Sequence, residues 1–381
     1  MIKRCIKGLW DQSLPGITFN EQGVSNYAEM YIKYSQDHPR GKRGRAQWDT
    51  ILKEIKSNGR KRAYDCLVGV SGGTDSSYLL HFLKKSGLRI LAINLDNGWN
   101  SDIALKNIKN ITSKLDIDLE TYVIDYEEVK KVIRSYMKAG LPWIDGPTDN
   151  AIRSILYRTA HREKIKYILN GEDFFSEGKQ PTEWTYSDAK QFLFLVKKFE
   201  NHIPKSFPFL NISSFFYYSF IKNIKVIRPL NFLNYSKRNA QKMLKKHYNW
   251  EYYGGHHHEN IFTKFAIGYW LPYKFNIDKR LITGSARIMN GEISREQGLE
   301  MLKTPPLNHD EIEEILSYVC KKLNFSNKEF EKIMASSNKT FMDYPSYYPI
   351  IKSNIKYISK ILKYFINYKP KMLYEIESRD G

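Results

Sequence analysis

The sequence predicts an α/β protein built on a doubly wound parallel sheet, and three observations carry that prediction. Short, β-branched apolar runs recur between residues 64 and 230, most of them followed by a stretch of helical periodicity. A glycine-rich polar turn, SGGTDSS, joins the first run to the first of these helices. The alternation then stops near residue 250, and only helical patterning continues. Strands alternating with helices pair in parallel through right-handed crossovers, and ligands of such sheets bind at the carboxyl ends of the strands.

Residues 1–47 show no sustained period and end in the basic run HPRGKRGRAQW, read as an N-terminal appendage followed by a linker. YDCLVGV (64–70) is a buried strand by its length and composition. SSYLLHFLKKSG sets Leu79, Leu80 and Leu83 at helical spacing and stops at Gly87. LRILAINLD (88–96) is the next strand, and SDIALKNIKNITSKL places Ala104, Ile108, Ile111 and Leu115 on one helical face. LETYVID (119–125) reads as a strand, EEVKKVIRSYMK as a helix, TDNAIRSILYRTAHRE (148–163) as a helix and IKYILNGED (165–173) as a strand. After a long aromatic and basic stretch come the strand IKVIRPL (224–230) and the helix YSKRNAQKMLKKHY. Further on, DEIEEILSYVCKKL is amphipathic, and SNKEFEKIM opens with a capping box from Ser326 to Glu329.

A chain of 381 residues is too long for one compact core, so two domains, or one with a large appendage, are expected. A hydrophobic content of 42% excludes global disorder. The formal charge of +19 favours anionic partners: nucleic acid, nucleotides or a membrane surface. Lys, Ile, Asn and Tyr are all abundant, so the charge by itself does not assign nucleic-acid binding. Cys5, Cys66 and Cys320 lie too far apart for a disulfide framework or a CxxC site, which fits a reducing compartment. No run of about 18 apolar residues occurs, and the start MIKRCIKGLW lacks a signal-peptide core. SSFFYYSFIKNIKVI (213–227) is too short and interrupted to span a bilayer. A cytoplasmic protein is expected, with contact to a membrane surface left open.

VGVSGGTDSS is the most informative stretch. A strand-to-helix turn presents unsatisfied N–H groups at the positive end of the helix dipole. Gly72 and Gly73 let the backbone curl around an anion, and Ser71, Thr74, Ser76 and Ser77 add hydroxyl donors. An ordinary strand–helix turn is the simpler alternative, but this combination directly after VGV is far more specific. Neither the Walker pattern GxxxxGK[ST] nor GxGxxG is present.

This turn resembles that of the PP-loop ATP pyrophosphatases, whose sheet is of the HUP-like, adenine nucleotide α-hydrolase type. The resemblance implies ATP and Mg as cofactors. Ser71, Gly72, Gly73, Thr74, Asp75, Ser76 and Ser77 would hold the pyrophosphate portion, with Asp75 helping to position the metal. Asn94, Asp96 and Asn97 would lie near adenine and ribose. Gly171, Glu172 and Asp173 would lie near the reacting phosphate, with Asp173 a second metal ligand.

A narrower resemblance covers most of the chain. PGITFNEQGV (15–24), PTDNAIRSILY (147–157), LNGEDFFSEG (169–178), RPLN (228–231), GGHHHENIFTKF (254–265), LPYKFNIDKR (271–280) and NGEISREQGLEML (290–302) occur in order around the glycine turn. This series is similar to the N-acetyl sugar amidotransferases of surface-polysaccharide and nonulosonic-acid synthesis. It implies adenylylation of an acetamido carbonyl on a nucleotide-activated sugar, then displacement of AMP by ammonia to give an acetamidine. Three units are expected: an appendage (1–47), the ATP pyrophosphatase domain (48–250) and a helical substrate-binding region (251–381). Family members carry two CxxC pairs around PGITFxxxGV; here those positions are Cys5, Gly8, Ser25 and Ala28. A closed zinc site needs four ligands, so no zinc is expected. Packing through Trp10, Ile17, Phe19 and Tyr27 takes its place.

Catalytic roles are expected for Asp75, Glu172, His256 and His258, and substrate contacts for Asp149, Glu177, His257, Glu259, Lys274, Lys279, Arg280 and Arg295. For each lone cation a solvated surface position is the simpler reading, and for Asp149 helix capping is as plausible as binding. In YYGGHHHEN (252–260) three imidazoles invite a metal, with Glu259 as a further ligand. In an extended segment His256 and His258 would converge while His257 points away, and hydrogen bonding to sugar or proton transfer is the favoured role.

None of the cysteines sits in a nucleophile elbow or at the N-terminus, so an embedded glutaminase is not expected. Ammonia is then free or comes from a separate glutaminase subunit with an ammonia channel. A homodimer is compatible with the sequence, and no nucleic-acid partner is expected. Two other classes compete: a PP-loop tRNA-modifying enzyme, which the charge and the aromatic stretch (186–250) would suit, and an inactive partner subunit of an amidotransferase.

Overall fold

A computed structural model describes residues 2–355, 357 and 371–380. Five strands form one parallel sheet: β1 (Cys66–Gly69), β2 (Ile90–Asp96), β3 (Asp118–Val123), β4 (Tyr167–Leu169) and β5 (Lys225–Ile227). Their order is β3-β2-β1-β4-β5. The chain winds outward from β1 to β3 and then returns to place β4 on the other side of β1. The switch point therefore lies between β1 and β4, the place at which such sheets bind their ligands. Central β1 is buried, and its Leu67 and Val68 pair with Leu91 and Ala92 on one side and Ile168 and Leu169 on the other. β3, at one edge, is half exposed along its length.

The helices pack as their apolar spacing requires. Leu79, Leu80 and Leu83 of helix Thr74–Lys85 are fully buried under the sheet, joined by Ile108 and Ile111 of helix Asp102–Leu115. The basic run before residue 48 is not a linker. It forms the first half of helix Gly41–Gly59, whose Trp48 and Ile55, two turns apart, are fully buried against the same core. Gly44 lets this helix approach closely: a Cβ there would lie 2.3 Å from the Phe232 carbonyl oxygen.

The first residues form two small knuckles, closed by bridges Arg4–Asp11 and Phe19–Ser25. They pack through buried Trp10 and Tyr27, with Ile17 and Phe19 at the edge. The four positions expected to lack zinc have other work. The Ser25 amide donates to Cys5 Sγ (3.2 Å), the Ser25 hydroxyl caps helix Asn26–Asp37 at Ala28, Ala28 is buried, and Gly8 lies against the Trp10 ring.

The C-terminal helices do not stand apart. Phe262, Phe265, Trp270, Val319 and Leu323 share one core with Val132, Ile133 and Tyr136 of helix Tyr126–Lys138. In helix Asn327–Ala335 only half of the expected capping box forms: Ser326 accepts from the Glu329 amide, but the Glu329 carboxylate is drawn away to Arg134 at 2.9 Å. Among the described residues no helix is long and apolar enough to cross a membrane.

Candidate active site

The SGGTDSS turn stands at the end of β1, with helix Thr74–Lys85 rising from it. Gly72 has φ +77°, and a Cβ there would lie 2.3 Å from the Ala104 carbonyl oxygen. Its own carbonyl is held by Trp250 Nε1 (3.0 Å) and Asn107 Nδ2 (3.2 Å). Ser71 Oγ receives the Gly73 amide, and Tyr253 OH receives the Thr74 amide at 3.1 Å. These amides are among the orphan donors of a helix start, which favour anionic acceptors. Gly171, just past β4, closes the opposite side: a Cβ there would meet the Ser76 amide nitrogen at 3.0 Å.

Charged groups line the walls. Asp75 pairs with Lys237 Nζ at 2.8 Å and accepts from Tyr235 OH. Burial works against the Lys237 ammonium, but Asp75 and Glu177 outweigh it and raise its pKa. Glu172 is clamped between Arg228 and Lys371, which overcome the upward push of burial and hold its carboxyl well below the usual range. Asp173 is fully buried. One oxygen caps Phe175 N at 3.2 Å, while Oδ2 has no hydrogen-bond partner among the described residues. Burial pushes its pKa up to about 7; the neighbouring Ser176 hydroxyl works against the rise, and Asp75 and Glu177 add to it.

The histidine loop closes over this turn, in a different arrangement from the expected one. Residues 254–259 form turns, with His257 in the left-handed region at φ +59°. Strand alternation is therefore lost. The rings of His256 and His257 lie side by side, 3.9 Å between centroids, and face Glu177, while His258 turns away toward Lys264 and Glu311. The catalytic assignment of His258 is corrected accordingly; burial pulls its pKa down to about 4. Glu259 is buried, and Ser71 Oγ donates to its Oε1 at 3.3 Å. His257 Nδ1 lies 3.6 Å from the same oxygen.

At the end of β2, Asn94 and Asn97 are buried, and Asp96 accepts from the Gly98 amide at 2.8 Å. Nearby, Asp145 accepts from the Thr263 hydroxyl, and its Oδ1 has no hydrogen-bond partner among the described residues. Burial, with Asp149 adding, raises its pKa to about 7. Asp149 does not cap its helix; it accepts from Trp143 Nε1 at 2.9 Å. Lys279 lies 4.0 Å over the Trp143 ring, and burial pulls its pKa down to about 8 against Asp149, Glu177 and Asp145.

Three expected substrate cations do structural work instead. Lys274 is buried and caps helix Asn327–Ala335 by donating to the carbonyls of Ile333, Met334 and Ser336 (2.7–3.0 Å). Arg280 chelates Asp278 and reaches the Met301 and Thr304 carbonyls. Arg295 binds the Gly8 and Cys5 carbonyls, tying down the N-terminal knuckle. Lys274→Ala should therefore lower stability by roughly 2–3 kcal/mol in a denaturant melt and leave ATP affinity unchanged.

Sequence reading assigned no role to Tyr235, Lys237, Trp250, Tyr253, Arg228 or Lys371. The first two sit in NYSKR, which reads only as a helix start, and Trp250 and Tyr253 border the histidine run. Arg228 lies in the RPLN motif. Lys371 has no local signal at all, because its partner is 199 residues away.

Residues 65–142 match the family described as queuosine biosynthesis protein QueC, and residues 259–361 match the C-terminal domain of LPS biosynthesis protein WbpG-like proteins. The chain thus joins a QueC-like PP-loop domain to a WbpG-like C-terminal domain. No curated protein matches it. Similar solved structures include the NH3-dependent NAD synthetase of Campylobacter jejuni (15% identity, 40% of this chain and 71% of that one, TM-score 0.28). NMN synthetase of Francisella tularensis is 13% identical over 53% of this chain and 86% of that one (TM-score 0.29). The U34-tRNA thiolase NcsA of Methanococcus maripaludis is 15% identical over 79% and 89% (TM-score 0.31).

Proposed function

We propose that this chain, a PP-loop domain carrying a WbpG-like C-terminal domain, is an ATP-dependent amidotransferase. Its substrate is a nucleotide-activated N-acetyl sugar destined for lipopolysaccharide or another surface glycan. One observation carries the reading. Glu259, the first residue of the WbpG-like match, accepts from Ser71 of the glycine turn, which supports a reading in which the acceptor is bound beside the phosphates.

The amide carbonyl is a poor electrophile. Its oxygen attacks the α-phosphate of ATP, pyrophosphate leaves, and the amide proton is lost to give an O-adenylyl imidate. Ammonia adds to the imidate carbon and AMP departs with its oxygen, leaving an acetamidine. The turn amides and hydroxyls hold the leaving pyrophosphate, and Lys237 supplies a fixed positive charge beside it. Asp173, whose buried Oδ2 has no hydrogen-bond partner among the described residues, and Asp75, which is paired with Lys237 and Tyr235, would supply the hard oxygen donors that suit magnesium. Magnesium bound with ATP would neutralise charge on the phosphates. Lys279, Asp149 and His256 line the side on which the sugar would lie.

The ammonia is proposed to come from a separate subunit. Burial pushes the Cys66 and Cys320 thiols up, and Cys5 is buried with its sulfur accepting a hydrogen bond. The upward shifts of Cys66 and Cys320 run opposite to the lowered pKa of a glutaminase nucleophile, and the buried Cys5 sulfur is already engaged by the Ser25 amide.

Exchange of labelled pyrophosphate into ATP tests the reading. Exchange should require an acetamido nucleotide sugar, and added ammonia should then yield AMP and the amidine by mass spectrometry. Exchange that ignores acetamido sugars, or its absence with every acceptor, sinks it. A tRNA-modifying enzyme is the second reading, favoured by one observation: residues 201–250 carry nine Lys and Arg and no Asp or Glu. Tight tRNA binding that weakens steeply with salt would support that reading instead.

A further inference from the structure

Glu177, His256 and His257 each offer a ligand atom, and these atoms lie within 4.8 Å of one another. They come from two separate segments, the short helix Phe174–Glu177 after β4 and the histidine loop. Two features argue that this is more than an ion pair. The left-handed φ of His257 holds its ring beside that of His256, so that both imidazoles face one carboxylate. In addition, His257 is addressed from both ends: Nε2 lies 4.0 Å from Glu177 Oε1, while Nδ1 lies 3.6 Å from Glu259 Oε1. A ring nitrogen facing a ligand set, with a carboxylate close enough to the other to take its proton after a small shift, approaches the arrangement that orients metal-binding histidines. Glu259 is itself buried, and its Oε2 has no hydrogen-bond partner among the described residues.

We propose that Glu177, His256 and His257 bind a divalent transition-metal ion, of the zinc or cobalt class, at a site beside the phosphate turn built from residues other than the proposed magnesium ligands. Two imidazoles and one carboxylate suit borderline cations, whereas magnesium and calcium prefer all-oxygen sets. Three protein ligands leave a position open for water or a substrate oxygen. Ligand atoms about 2.1 Å from a tetrahedral ion stand roughly 3.4 Å apart, so the set must close by about 1 Å on binding. Gly254 (φ +93°) and Gly255 begin the loop and permit that movement. Glu259 acts as the positioning residue.

The site does not depend on the sugar reading, and its test uses neither ATP nor sugar. The full chain, stripped with chelator, is titrated with Co(II) alone and followed by visible absorption. One equivalent should bind with a ligand-field band, zinc should displace it, and millimolar magnesium should not. His256→Ala and His257→Gln should each weaken binding at least 100-fold, and Glu259→Gln about 10- to 100-fold, with unchanged far-UV circular dichroism. Asp173→Asn should leave the band intact. Absence of a band in the unmutated chain overturns the proposal, as does a band that survives His257→Gln or is lost with Asp173→Asn.

Discussion

Gly72→Ala is expected to abolish ATP-dependent turnover, by more than about 100-fold, and to lower stability by roughly 2–4 kcal/mol. Two costs combine. A φ of +77° is unfavourable for any residue with a Cβ, and the new methyl would stand 2.3 Å from the Ala104 carbonyl oxygen. The turn cannot relax by flipping its peptide, because the Gly72 carbonyl is held by Trp250 and Asn107. It must instead push away helix Asp102–Leu115 or distort the amides that face the phosphates. Gly73→Ala is the contrast: its Cβ would meet chiefly the Glu259 carboxylate, at 2.9 Å, which is the end of a side chain. Denaturant melts and calorimetric ATP titration check both variants. Near-normal stability and ATP affinity in Gly72→Ala would refute the assigned geometry.

Asp173→Asn should separate stability from activity. The folded chain holds this carboxyl at about 7, above its ordinary value of about 3.9, so the native state binds the extra proton. The stability carried by the neutral form is complete below about pH 4 and is lost as pH rises through about 7. An amide never ionises. The variant should match the unmutated protein near pH 4 and exceed it above pH 7, by on the order of 2–4 kcal/mol. The same change removes a proposed magnesium ligand, so the apparent magnesium affinity and turnover should fall by at least about 100-fold. Melts across pH 4–9 with a magnesium titration of turnover provide the check. A variant destabilised at pH 8, or one with full activity, contradicts the role given to Asp173. A group that costs stability when charged is expected where function needs the charge.

The sheet was legible because each of its signals is local. β1, β2 and the helix after the phosphate turn announce themselves by apolar spacing within a dozen residues. SGGTDSS does so too, since a strand-to-helix turn creates its own anion site. The basic run before Trp48 misled because charge density resembles a linker. Its buried stripe, Trp48 and Ile55, is narrow, and its partners lie far along the chain. Half of the Ser326 capping box was lost for a related reason: Arg134 competes for Glu329 across 195 residues.

The alternating architecture and the glycine turn were readable from the sequence, because these follow from backbone periodicity and the chemistry of neighbouring residues. Only the tertiary structure decided which cations lie at the site. Lys274, Arg280 and Arg295 look like anion binders in the sequence, yet uncapped carbonyls and the Asp278 carboxylate take their donors. Lys237 looks like a surface residue and lies beside Asp75. It likewise decided which histidines converge, since one left-handed residue reverses the alternation an extended segment would impose. Side-chain partners chosen across two hundred residues leave no trace in local pattern, whereas the backbone geometry that creates the phosphate turn does.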